Sequence, residues 1–128
     1  MKKKLFLMCL IGLISTTSSY AACNGGTEIT NTAGTTFCKS NVSMNWWSAA
    51  AWCKENEMSL ATMYEMCPSW DGNTGSGKCS ELNGTGSDYV WSATASGSES
   101  AFYVLLSTGT VDTYRSRNYD SKSSAFCR

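Results

Sequence analysis

Residues 45–62 read Asn-Trp-Trp-Ser-Ala-Ala-Ala-Trp-Cys-Lys-Glu-Asn-Glu-Met-Ser-Leu-Ala-Thr, and this stretch decides the fold class. Trp46, Ala49, Ala50 and Cys53 recur at i, i+3, i+4 and i+7, a single apolar stripe on an α-helix. Asn45 or Ser43 supplies a capping oxygen for its first free amides, and Lys54-Glu55-Asn56 begins the exit. A second, short helix starts at Thr62. Thr62-Met63-Tyr64-Glu65 is a capping box, and Pro68 stops the helix soon after Cys67.

Working outward, the chain on either side reads as β-structure. Cys23 to Ser40 alternates β-forming and polar residues around Asn31-Thr32-Ala33-Gly34, a hairpin signal whose ends carry Cys23 and Cys38. Residues 68–88 are rich in Gly, Ser, Asn and Asp without period and form a long loop, of the kind that is functional or pinned. Tyr89-Val90-Trp91 is a short strand, and Ala101 to Ser107 is apolar enough for a central strand buried on both faces. Thr108-Gly109 is a two-residue turn, Thr110 to Tyr114 the returning strand, and Ala125-Phe126-Cys127 the last. Two helices packed on a small antiparallel sheet with a long loop region is an α+β plan.

The ends and composition set the compartment. Lys2-Lys3-Lys4, the apolar run Leu5 to Ile14 and Ser19-Tyr20-Ala21 read as a signal peptide over residues 1–21, which leaves one domain over 22–128. That apolar run is shorter than the roughly 20 residues a membrane span needs. Removing it takes away Cys9 and leaves six cysteines, an even set suited to a disulfide framework in a secreted or periplasmic chain. A lipidated Cys23 is the rival reading, but Tyr20 stands where lipoprotein signals usually carry Leu, and lipidation would leave five cysteines.

Several functions are excluded or disfavoured. Ten Lys+Arg balance ten Asp+Glu, so no basic stripe is available for nucleic acid. The chain contains no histidine, which removes the commonest general base and metal ligand. The cysteines show no C-x-x-C spacing, and S-x-x-K is absent. Gly72-Asn73-Thr74-Gly75-Ser76-Gly77-Lys78 matches the core of a phosphate-binding loop, but Cys79 replaces the hydroxyl residue and neither strand nor apolar helix flanks it. Glu55 and Glu57 are the polar end of a helix. No cofactor is implied, and the chain is expected not to be an enzyme.

Trp46-x-x-Ala49-x-x-x-Cys53, followed by Leu60-Ala61 and Glu65 and closed by Phe126-Cys127-Arg128, resembles the C-type-lectin-like domains. Leu60-Ala61-Thr62-x-x-Glu65-Met66, Val90-Trp91-Ser92-Ala93-Thr94, Ala101-Phe102-x-Val104 and Ser107-Thr108-Gly109 are similar to the bacterial branch at the ends of surface adhesins. The resemblance spans residues 23–128. It implies the C-type-lectin-like fold, a Cys53–Cys127 bridge and a Cys23–Cys38 hairpin bridge, with Cys67–Cys79 left over. Two departures stand out. Glu57 occupies a position that usually carries glycine, and the family's calcium- and sugar-binding triplets are absent. Asp71, Asn73, Glu81 and Asp88 are the available calcium-type oxygen ligands in and beside the loop, and read as loop polars that turn the chain.

Trp46, Trp47, Trp52 and Trp91 read as core residues. Trp70, in the Gly/Ser loop, either stacks on a ligand or packs over the Cys67–Cys79 loop. Asp112 to Ser124 has the composition of a paratope, with Tyr for rigid area and Arg for charged contacts. The expectation is a calcium-independent binding module for a glycan or protein surface, using Tyr114, Arg115, Arg117 and Tyr119 with Trp70. The alternatives are a structural or assembly component of the cell envelope or an adhesin, and an enzyme of the formylglycine-generating branch that depends on reactive thiols.

Overall fold

The computed structural model describes residues 23–114 and 123–128. Residues 1–21, read from sequence as a signal peptide, lie outside the described residues. Six strands form one sheet: β1 (Gly26–Thr30), β2 (Thr36–Met44), β3 (Tyr89–Gly97), β4 (Ser100–Leu105), β5 (Thr110–Tyr114) and β6 (Ser123–Cys127). Their order across the sheet is β1-β2-β6-β3-β4-β5. Helices α1 (Trp46–Glu55) and α2 (Met63–Met66) and a 3₁₀ turn at Ser80–Leu82 complete the α+β domain.

The sheet is mixed, where the sequence suggested an antiparallel one. β6 runs antiparallel to β2, with Cys38 opposite Cys127, and parallel to β3, with Val90 opposite Ser124. One strand returning between two finished hairpins meets one neighbour in each sense. The helices also lie on opposite faces, with a separate core beneath each. Ala49 and Cys53 of α1 meet Trp91, Ala101, Ala125 and Cys127 on one face. On the other, Met63 and Met66 of α2 join Phe37, Val90, Val104, Leu106, Phe126 and Leu82. Phe37 stacks on Phe126 at 4.7 Å.

Local chemistry explains the element ends. Asn45 caps α1, its side-chain oxygen accepting from Ser48 N at 2.8 Å. The helix closes with two reversed bonds, Glu57 N to Lys54 O and Met58 N to Cys53 O, both 2.9 Å. That closure puts Glu57 in the left-handed region at φ 62°. Thr62 and Glu65 form the reciprocal capping box, at 3.1 and 2.9 Å. Asn31 is buried in the β1–β2 turn, where its carbonyl oxygen accepts from Ala33 N and Thr35 N. Its amide donates to Met66 O at 3.0 Å, tying the turn to the end of α2.

Two buried serines repair the sheet where its register slips. Between Lys39 and Ser43, Ser40 Oγ accepts from Ala125 N at 2.9 Å and donates to Val42 O at 2.7 Å. Between Trp91 and Ala95, Ser92 Oγ donates to Phe102 O and accepts from Thr94 N. These hydroxyls take the place of missing ladder bonds at the bulges.

Several strand expectations need correction. β3 is nine residues long and not a three-residue stub, because its bulge lets the strand continue past Trp91. β4 lies one place in from the edge, and Phe102, Tyr103 and Leu105 are only half-buried. The β4–β5 connection takes four residues, 106–109, instead of two. Gly109 sits there at φ 68°, and a Cβ on it would meet Cys79 O at 2.5 Å.

Disulfides join Cys23–Cys38 and Cys53–Cys127, the two pairs implied by the resemblance, and Cys67–Cys79, the pair left over. The second links α1 to β6 across a separation of 74 residues, worth about 4 kcal/mol in the chain-entropy account. Three disulfides suit an oxidising compartment. Among the described residues no helix is long and apolar enough to cross a membrane.

Candidate functional site

A run of aromatic rings lies on the α1 face of the sheet. It begins in the first turn of α1, where successive residues point about 100° apart. Trp46 turns inward and donates its indole N–H to Ser92 O at 2.8 Å. Trp47 turns outward, lies edge-on to Trp46 at 4.8 Å, and is 54% exposed. This corrects the reading of Trp47 as core: a doublet on a helix can bury only one of its members. Trp52, also read as core, is half-buried.

The run continues on the strands. Trp91 is fully buried and donates to Met44 O at 2.8 Å, two residues before Trp46. Tyr103, opposite Trp91 on β4, leans on it at 5.8 Å and stacks on Tyr89 at 5.0 Å with planes 24° apart. Tyr89 is exposed, and Asp112, opposite Tyr103 on β5, is exposed as well. Trp91 anchors the row from beneath while Trp47 and Tyr89 present ring surface at its two ends.

Of the residues singled out in the sequence, Arg115, Arg117 and Tyr119 lie outside the described residues. The backbone of Tyr114 ends β5 opposite Ala101, two residues before Tyr103. Ser123, the first residue of β6, lies opposite Met44, two residues before Trp46. Both roots of the Tyr/Arg/Ser segment therefore flank the aromatic run.

Trp70 does not join them. It is 6% exposed and packs on Phe102 at 4.8 Å and Tyr64 at 5.2 Å, in the core of the opposite face. Its indole donates to Asn73 O at 2.8 Å, so the ring serves as the floor of the 68–88 loop and not as an exposed stacking surface. The loop is pinned at many points. Gly75 exchanges two backbone bonds with Val111, Cys79 N donates to Gly109 O, and Gly84 N donates to Leu106 O.

The oxygen ligands considered for calcium are separately engaged. Asp71 pairs with Lys78 at 2.8 Å and also accepts from Asn73 N. The Lys78 hydrogen bond, helped by Asn73, lowers the Asp71 pKa to about 2. Burial alone would raise the pKa of Glu81, but bonds from Ser69 and Ser80 outweigh it and hold the group below its ordinary value. Asp88 pairs with the buried Lys39 at 2.7 Å. Among the described residues no group of three or more acidic or cysteine side chains converges to hold a metal ion.

Comparison with models of known families, with curated proteins and with solved structures finds no significant match.

Proposed function

We propose that this chain is an exported, disulfide-stiffened binding module of C-type-lectin-like character that recognises a glycan or protein surface without calcium and without catalysis. The observation that carries this reading is the aromatic run, exposed at Trp47 and Tyr89 and flanked by both roots of the segment holding Arg115, Arg117 and Tyr119. Tyrosine and tryptophan offer large, rigid contact area at small entropic cost, and arginine adds planar polar contacts. A sheet clamped by three disulfides keeps that surface preorganised, which lowers the cost of ordering on binding.

Two features of the fold are compatible with the family reading. β2 and β6 meet at Cys38 and Cys127, and the long disulfide ties the first helix to β6. All six cysteines beyond residue 22 are consumed in disulfides, which argues against the thiol-dependent enzyme. Trp70 drops out of the contact set.

The test combines a glycan array with crosslinking in envelope fractions, using wild type and the variants Trp47→Ala, Tyr89→Ala, Tyr114→Ala and Arg115→Ala. Loss of retention by about tenfold or more in the variants, as for removal of an interface anchor, with unchanged melting, is the expected result. Unchanged binding in all four refutes the site. A stoichiometric envelope partner captured equally by all four identifies an assembly component instead.

A further inference from the structure

The chain contains two Asn-Gly pairs, Asn24-Gly25 and Asn83-Gly84, and their surroundings differ. Glycine has no side chain to shield its backbone nitrogen from the preceding asparagine amide. In both pairs the glycine sits at positive φ, 79° for Gly25 and 81° for Gly84. What separates them is the state of that nitrogen. Gly84 N donates to Leu106 O at 2.8 Å, and Leu106 is fully buried. Asn24 and Gly25 are both exposed, and among the described residues no partner accepts from Gly25 N.

We infer that Asn24 is a site of spontaneous covalent modification in the folded protein, and that Asn83 is protected from the same reaction. Gly25 N attacks the Asn24 side-chain carbonyl carbon. A carbon–nitrogen bond forms there, the bond to the side-chain nitrogen breaks, and ammonia leaves with the proton lost by Gly25 N. Water then opens the resulting cyclic imide at either carbonyl to give aspartate or isoaspartate. Water is the sole co-reactant, and nothing is oxidised or reduced. At Asn83 the same attack must first free the Gly84 amide from Leu106.

Each event adds one negative charge next to the Cys23–Cys38 disulfide. The isoaspartate product also lengthens the backbone by one carbon just ahead of β1, where Gly25 O accepts from Asn41 N at 3.1 Å. The modification therefore loosens the edge hairpin and leaves the rest of the sheet unaltered.

The experiment incubates the oxidised protein at mildly alkaline pH and follows both sites by peptide mass mapping, scoring the gain of one mass unit and the loss of ammonia. Asn24 is expected to convert about fivefold faster than Asn83 or more, the factor that one net hydrogen bond on the reacting amide supplies. In the reduced chain unfolded in denaturant the two rates should converge. The exposed substitution Asn24→Gln, which would require a larger ring, should remove the fast site while melting stays unchanged. Equal conversion of the two sites in the folded protein, or faster conversion of Asn83, overturns the inference.

Discussion

Replacing Glu57 by glycine should stabilise this domain. Glu57 follows the C-cap of α1 at φ 62°, the only described non-glycine residue at positive φ, and is held there by the bonds to Lys54 O and Cys53 O. A side chain in the left-handed region costs roughly 1–2 kcal/mol through its Cβ. Glycine removes that cost but gives the unfolded chain more freedom, which takes back roughly 0.4–1 kcal/mol. Glutamate also sets a negative charge at the negative end of the helix dipole, so its removal adds a few tenths of a kcal/mol, about 0.3. The balance for Glu57→Gly is a gain of about 1 kcal/mol, or a rise in Tm of roughly 4–8 °C for a domain near 100 residues. Glu57→Ala relieves the charge but keeps the Cβ, so it should change Tm little. The assay is thermal and denaturant unfolding of the oxidised proteins, with the denaturant slope unchanged. If Glu57→Gly melts at or below the temperature of Glu57→Ala, the strain argument is refuted. The position is also the one where the resembling family usually carries glycine.

Three further outcomes follow from single side chains. Ser40→Ala leaves Ala125 N and Val42 O without their partner inside the sheet and should cost about 1–3 kcal/mol, read as a lower denaturation midpoint, whereas Ser43→Ala on the exposed part of β2 should cost far less. Asn31→Ala removes the bonds that this buried side chain makes to Met66 O, Ala33 N and Thr35 N and should cost about 2–3 kcal/mol or more, with faster amide exchange at Ala33 and Thr35. The Asp71 pKa is lowered from 3.8 to about 2. The Asp71–Lys78 contact therefore stabilises the loop fully above pH 3.8 and is lost as pH falls towards 2. A carboxyl NMR titration checks this, and a midpoint for Asp71 near the ordinary aspartate value refutes it.

The helices were legible in sequence because their signals are local. The period of Trp46, Ala49 and Cys53 and the reciprocal caps at Thr62 and Glu65 act within a few residues. The hairpin turn at Asn31 was legible for the same reason. What stayed hidden depends on contacts between distant residues. Ser40 and Ser92 look like surface polars until their partners, 85 and 10 residues away, are known. The parallel pairing of β3 with β6 leaves no mark in either strand, since a buried strand has the same composition in either sense. For the candidate site, the Trp46-Trp47 doublet did hold a clue. Two adjacent aromatics cannot both face the sheet, so one ring had to be displayed. Trp70 misled because its neighbours are Gly, Ser and Asp. The loop's composition hides the Cys67–Cys79 bridge and the ring surface of Phe102 that draw the indole inside.

The placement of β6 has a consequence for how the protein comes into being. β1-β2 and β3-β4-β5 share no backbone ladder, and Ser123–Cys127 is the strand that joins them. Cys53 and Cys38 both await Cys127, one for a bond and one for a register. Until Ser123–Cys127 is in place, the two sheet parts share no strand and each keeps an open edge. The two parts thus become one platform only once Ser123–Cys127 has slotted between them, a keystone that arrives after the arch stones.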